Sequence, residues 1–234
     1  MGSYADDALF MSRNNIEYVE LISDDGKSKV MVIPAWQGRV MTTSAAGDEG
    51  DSYGWINYSF IKKRQIDLQF NPVGGEERFW LGPEGGVFSL YFRQGEKQIY
   101  KNWKVPPVLD IEAFKIQSQS KNCICLTKEG CLTNACGTTF YLNIKRTISL
   151  LDINEFAASF NLEFPKDIKA VAYKSDNQIT NIGNESWNKE TGLISVWMLS
   201  MFNPTSATTV FIPYKQSRKG KIVNDEYLKD LPDF

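Results

Sequence analysis

From Thr139 to Leu151 apolar and polar positions alternate. Phe140, Leu142, Ile144, Ile148 and Leu150 fall on one side, and Tyr141, Asn143, Lys145, Thr147 and Ser149 on the other. A period of two puts successive side chains on opposite faces of a pleated backbone, so this stretch predicts a half-buried β-strand. Residues 17–22 and 28–33 flank Asp24-Asp25-Gly26, which predicts a hairpin. Runs at 113–119, 122–127, 155–163, 169–174, 191–202 and 207–214 share the β-branched and aromatic character of strands, with Lys128-Glu129-Gly130 as a turn between two of them. Helix is predicted only over Asp6–Ser12, whose acidic start suits the helix dipole. There is no internal repeat or low-complexity linker, and Pro106-Pro107 reads as a stiffener between strands. The pattern therefore predicts one antiparallel all-β sandwich over residues 1–234, with long loops across 34–110. Trp36, Trp55, Trp80 and Trp103 all fall in that window and argue that it is ordered.

Composition narrows the function. At 234 residues and 42% hydrophobic content the chain can build a substantial core, and sandwiches of about 200 to 250 residues form single domains. The net charge of −2, from 26 basic and 28 acidic residues, lacks the basic stripe of a nucleic-acid binder, so no nucleic-acid partner is expected. Lys215, Arg218, Lys219 and Lys221 read as a solvated face. The absence of histidine removes every Ser-His-Asp and Cys-His mechanism and restricts any zinc site to cysteines and carboxylates. Cys123, Cys125, Cys131 and Cys136 match neither a zinc ribbon nor a CxxC motif. Cys123 and Cys125 share a strand face and read as packing, and no metal or cofactor is expected. No stretch has the apolar length of a membrane span, and the N-terminus lacks the features of a signal peptide. If Met1-Gly2-Ser3 replaces a removed leader, the compartment is periplasmic or extracellular; otherwise the sequence leaves it open, as it does the oligomeric state. The sequons Asn57-Tyr58-Ser59 and Asn184-Glu185-Ser186 matter only in a glycosylating host.

The densest chemistry lies in Gly74–Gly86, where three carboxylates, an arginine and a tryptophan stand between two glycine pairs. Glycine pairs permit positive φ or a close backbone approach. A tryptophan beside carboxylates suits a sugar, whose ring has an apolar face to stack on and hydroxyls to bond. Adjacent residues of an extended segment face opposite ways, so at most one of Glu76 and Glu77 is expected to look into a cleft. Glu84, bracketed by Pro83 and Gly85, is the first candidate acid or base, with Glu77 second; the competing reading of Glu84 is a surface carboxylate paired with Arg78. Arg78 suits sugar hydroxyls or a uronate carboxylate, or else braces Glu76 or Glu84. Arg39 lines a cleft or makes a structural pair. Trp80 and Trp103 are the stacking candidates or core residues, whereas Trp187 and Trp197 are assigned to the core.

Four stretches together carry a resemblance: Ile33–Met41, Tyr53–Asn57, Gly74–Gly86, and Trp187–Leu193. They resemble a bacterial branch of the galactose-mutarotase-like superfamily, over about residues 10 to 225. The resemblance implies an antiparallel β-supersandwich whose concave face binds a mono- or oligosaccharide. Aldose 1-epimerases place a histidine just before the glycine pair, where Val73 stands here, and an Asn-Arg pair that corresponds to Asn57-Tyr58, so Asn57 is the retained substrate-binding member. The family is longer than this chain, which implies a sandwich short of its last strands, with 225–234 as the truncation point and an open edge favouring aggregation or dimerisation. The expected function is carbohydrate binding, with carboxylate-only carbohydrate-active catalysis (epimerase-like or glycoside-cleaving) as the alternative.

Overall fold

The row of inward residues that starts at Phe140 is the axis of the fold. The computed structural model describes residues 2–165, 167–215, 220 and 222. Four antiparallel strands form one sheet in the order β5-β6-β7-β8, as introduced here in chain order: β1 (Val19–Ile22), β2 (Lys29–Ile33), β3 (Arg39–Ser44), β4 (Arg78–Gly82), β5 (Lys115–Gln119), β6 (Cys123–Thr133), β7 (Thr139–Leu151), β8 (Ala172–Asn181) and β9 (Ser195–Leu199). β7 pairs along its length with both neighbours and buries every second residue. β1, β2 and β3 form a second antiparallel sheet, and β4 pairs with β9. The Glu76-Glu77 backbone ties β4 to β3: Glu77 N–H donates to the Val40 carbonyl at 3.1 Å and Val40 N–H returns the bond at 3.2 Å.

Leu21, Val30, Val32 and Val40 meet Leu126, Leu142, Ile144 and Ile148 in one apolar core, so the two sheets share an interior. A second core lies on the other face of β2 and β3, where Met31, Ile33 and Met41 pack with Tyr4 and Met11 of α1 (Tyr4–Arg13) and Ile61 of α2 (Tyr58–Lys62). β2 is therefore buried on both faces, which is why Val30–Ile33 reads as a continuous apolar run without alternation. Helix α1 opens with a capping box, in which Ser3 Oγ accepts the Asp6 N–H at 3.2 Å and Asp6 accepts the Ser3 N–H at 3.1 Å. Asp7 does more than complement the dipole: it is buried and accepts bonds from Ser52 and from the Tyr58 hydroxyl.

The predominantly antiparallel β architecture, the 19–33 hairpin and the 139–151 strand agree with the sequence pattern. Four expectations need correction, three of them in the part of the chain that holds the strands. Residues 155–163 carry no strand, since α4 (Ile153–Ser159) starts at Asp152, whose carboxylate accepts the Asn154 and Glu155 N–H groups at 2.8 and 3.0 Å. Lys128-Glu129-Gly130 lies inside β6, because the turn falls at Asn134, whose side-chain oxygen accepts the N–H groups of Cys136 and Thr138. The long loops expected across 34–110 are interrupted by β3, α2, β4 and α3 (Pro107–Asp110).

Contacts divide the chain into units 1–203 and 204–234. The first holds every strand named above. In the second, Thr205 N–H donates to Thr208 Oγ1 at 2.9 Å, and the predicted strand at 207–214 is absent. Arg218, Lys219, Lys221 and residues 225–234 lie outside the described residues.

Candidate functional site

The glycine pair is a close-approach device. Gly74 and Gly75 adopt φ of +93° and +116°, and a Cβ on Gly75 would fall 2.5 Å from Arg39 Cδ. Side chains are excluded there on both counts. Gly75 N–H donates to the Trp55 carbonyl at 2.8 Å, and Asn57 N–H to that of Val73 at 3.0 Å, so the pair clamps the Trp55–Asn57 segment.

Around this clamp the interior is charged. Arg146 stands at an inward position of β7 and is fully buried. Its guanidinium donates to Glu77 at 2.8 Å and to Asn177 Oδ1 at 2.7 Å, and lies 5.2 Å from the Phe79 ring centroid. The second Glu77 oxygen accepts from Ser175 at 2.8 Å. Arg78 donates to Asp110 at 2.9 Å, while the other Asp110 oxygen accepts from the Asn71 backbone and side chain at 3.0 and 2.7 Å. Arg39 is 1% exposed, and its one hydrogen bond runs to the Gly74 carbonyl at 2.6 Å. Among the described residues its Nε and Nη2 have no partner. Burial first, then the Arg78 and Arg146 charges, pushes its pKa down. Glu76, 3% exposed, accepts from Thr43 at 2.9 and 3.1 Å. Burial outweighs those bonds and pushes its carboxyl up to about 7, with the Glu77 charge adding to the rise.

Next to this interior opens a cleft of about 400 Å³, with Trp36, Phe60, Ile61, Val73, Asn71 and Asp110 in its lining. Each comes from a capped or anchored segment. Trp36 ends the 3-10 turn Pro34–Trp36 and is half-buried. Phe60 and Ile61 sit on α2, whose first turn is capped by Asn57 Oδ1 accepting the Phe60 N–H at 3.1 Å. Asp110 closes α3. Asn15 and Arg64, also at the cleft, have φ of +58° and +52° just past the ends of α1 and α2. Glycine is the usual residue there, and an arginine in that conformation costs about 1 kcal/mol or more. The cleft joins an aromatic wall to a fixed carboxylate and amide, the mixture that orients a polar ligand with an apolar face.

The predicted residues separate into four groups. Arg39, Glu77, Arg78 and Trp80 converge on the interior. Trp80, expected to stack on a sugar, is 4% exposed. Trp197 is stacked against it at 5.0 Å, and the Arg78 guanidinium lies 4.0 Å from its centroid, so it has no open face. Both oxygens of Glu77 are occupied, as above, and both acidic neighbours, Glu76 and Glu77, are buried, so neither is offered to solvent. Trp103 is stacked between Tyr91 at 5.7 Å and Tyr100 at 6.2 Å. Its column has its open end at Tyr100, which is 75% exposed. Asn57 serves as a helix cap. Glu84 stands apart: it is exposed, and the bond recorded for it is the one its backbone carbonyl accepts from Ser89. The expected Glu84–Arg78 pair is not formed, since Arg78 is committed to Asp110. Arg146 was missed, although the signal was there: it is the charged residue in the inward row of β7. Asp110 and the cleft-facing role of Trp36 carried no local signal, being brought together by tertiary structure.

The four cysteines are free thiols. Among the described residues no group of three or more acidic or sulfur ligands could hold a metal ion, and no helix is long and apolar enough to cross a membrane. The chain belongs to the family of unknown function DUF6786, whose pattern matches residues 2–233. No curated protein and no solved structure matches it.

Proposed function

We propose that the protein binds carbohydrate, a mono- or oligosaccharide, in the Trp36–Asp110 cleft. The observation that carries this reading is the pairing, in one cleft, of a half-buried tryptophan with a carboxylate fixed by Arg78 and Asn71. An aromatic face takes the apolar side of a pyranose, and the exposed Asn15, Arg64 and Gln65 of the lining offer donors and acceptors to its hydroxyls beside the buried Asp110. The resemblance to galactose-mutarotase-like proteins supports the same class of ligand and a supersandwich fold, because three of its four stretches supply the cleft or its supports: Trp36, the Asn57 cap, and the Gly74-Gly75 clamp. The test is calorimetric titration of the chain with a panel of neutral and acidic mono- and oligosaccharides, repeated on Asp110→Asn. Binding that weakens in the variant supports the reading. A panel with no binder overturns it.

A second reading, carboxylate-only catalysis on a sugar, is favoured by Glu76. Burial pushes its carboxyl up to about 7 beside Glu77 and Tyr173, which suits proton transfer to a sugar that reaches the interior. Product analysis on any sugar bound decides it. Conversion by the wild type that is lost in Glu76→Gln supports catalysis, and binding without conversion leaves the binding reading alone.

A further inference from the structure

The cleft and the charges around it say more about the ligand than its class. Two of the three buried guanidinium groups have carboxylate partners: Arg78 has Asp110, and Arg146 has Glu77. Arg39 has none, and its unpartnered nitrogens are sealed from water. Arg39 lies directly across from Ile33 of β2, so the two share a sheet face, and Ile33 packs in the core layer whose Ile61 and Val73 also line the cleft. Arg39 therefore lies under that floor, and it is within Coulombic reach of Asp110 in the wall. An arginine does not lose its proton in a protein, so this is a fixed positive charge in a low-dielectric setting, where its field reaches further than in water.

At the mouth, Arg64 holds a left-handed conformation that glycine would adopt without strain. One of its donors reaches the Arg13 carbonyl at 3.2 Å, and the rest of the exposed guanidinium is free to turn to a ligand. Two of the carboxylates that could oppose an anion are paired with cations, Asp110 with Arg78 at 2.9 Å and Glu112 with Lys128 at 2.6 Å. The exposed Asp67 carboxylate accepts the Gln69 N–H at 2.7 Å and keeps its charge. The carbonyl end of α1 is covered by the Arg64 bond and by Asn14 Nδ2 on the Phe10 carbonyl at 2.8 Å. Counting Arg39, Arg64 and Arg78 against Asp110 and Asp67, the surroundings of the cleft keep one net positive charge.

We infer that the saccharide bound in this cleft is an acidic one, carrying a carboxylate that the Arg64 mouth and the field of Arg39 attract. This rests on the carbohydrate reading of the cleft and deepens it to uronates. The planar fork of Arg64 matches a carboxylate in two-point geometry. Arg39 contributes as an uncompensated charge beneath the floor and not by contact.

The experiment titrates the chain with trigalacturonate, with its methyl ester, which keeps the shape and loses the charge, and with a sulfated neutral trisaccharide. Trigalacturonate is expected to bind about tenfold tighter than the ester, with the advantage shrinking as ionic strength rises. Arg64→Gly is expected to cut that advantage several-fold while leaving the thermal midpoint unchanged or raised, since it relieves the backbone. A purely structural arginine would move the midpoint down and leave the preference intact, which overturns the inference. An ester that binds as tightly as the acid also overturns it while the carbohydrate reading stands. No binding of any of the three, nor of the neutral sugars, sinks both. A sulfated sugar bound tighter than trigalacturonate overturns the choice of carboxylate.

Discussion

Arg146 and Arg39 are both fully buried, and they are wired differently. Arg146 meets a carboxylate, an amide oxygen and a backbone carbonyl, each within 3.3 Å, between the two sheets. Arg39 has one carbonyl and two nitrogens without an acceptor, on the side of β3 that faces the cleft floor. Taking a guanidinium out of water costs several kcal/mol unless charge and hydrogen bonds are returned. The first arginine is therefore understandable from the fold alone, whereas the second leaves an open electrostatic account. The lesson is that burial of a charge does not mark function, but burial without a counter-charge beside a cleft points to a ligand.

The sharpest way to break that comparison is to remove each guanidinium. Arg146→Met leaves Glu77 as an unpaired buried carboxylate and is expected to cost about 3–5 kcal/mol in urea unfolding, with much of it recovered in the Arg146→Met/Glu77→Gln double variant. Arg39→Met strands no carboxylate and gives up one hydrogen bond, so its cost is expected to stay near about 1 kcal/mol. Equal losses at the two positions would show that the difference in wiring has no energetic meaning.

Next in size is the pH dependence of Glu76. Its folded pKa, about 7, lies above the ordinary 4.5, so between those values the folded protein holds a proton that the unfolded chain has released. Stability from this group is present in full below about 4.5 and falls as pH rises through about 7, by on the order of 3 kcal/mol. Glu76→Gln keeps an acceptor for Thr43 and carries no charge, so the difference between wild type and variant should grow in the variant's favour across that window. Unfolding curves at several pH values check this, and parallel wild-type and variant profiles would contradict it.

These two buried groups also show what was legible in the chain. β7 could be read because its neighbours in space are set by a local period of two; Arg146 was passed over, although a charge at an inward position of that period was the signal that could have found it. The glycine pair could be read as a close approach, but not what it approaches, because Arg39 and Trp55 reach it through non-local pairing. β2 hid its alternation by being buried on both faces. The cleft was illegible for a similar reason: Trp36, Asn71 and Asp110 sit at the ends of short capped segments whose meeting depends on how the sheets and helices pack. Trp80 misled because a tryptophan among acids looks exposed in sequence, whereas strand pairing with β9 places Trp197 opposite it.

A smaller effect tests which tryptophan faces the ligand. Trp36→Ala is expected to weaken saccharide binding by about 1 kcal/mol, roughly fivefold, by removing the aromatic surface. Tyr100→Ala, at the open end of the Trp103 column, is expected to leave binding in the Trp36 cleft unchanged. Calorimetry on both variants separates the surfaces. The reverse result would move the platform to the Tyr100 column and detach it from Asp110.

The smallest expected effect falls on the residue that the sequence put first. Glu84 has the composition of a catalytic acid, with a proline and a glycine fixing its backbone, but a rigid backbone does not give a side chain a partner. Its carboxylate faces solvent, and Arg78, which might have held it, is claimed by the buried Asp110 at 2.9 Å. The contest for Arg78 is settled by burial, since an ion pair out of water forgoes far more when broken than an exposed one does. Glu84→Gln is therefore expected to shift unfolding stability by no more than about 0.5 kcal/mol, the range of surface substitutions without a buried partner. Because Glu84 lines none of the Trp36 cleft, saccharide affinity should be unchanged in the same variant, whereas Asp110→Asn weakens it. Loss of binding or turnover in Glu84→Gln, with the fold intact by circular dichroism, would transfer the site from the Asp110 cleft to the 83–91 segment, where the Glu84 charge already bears on the Tyr91 hydroxyl.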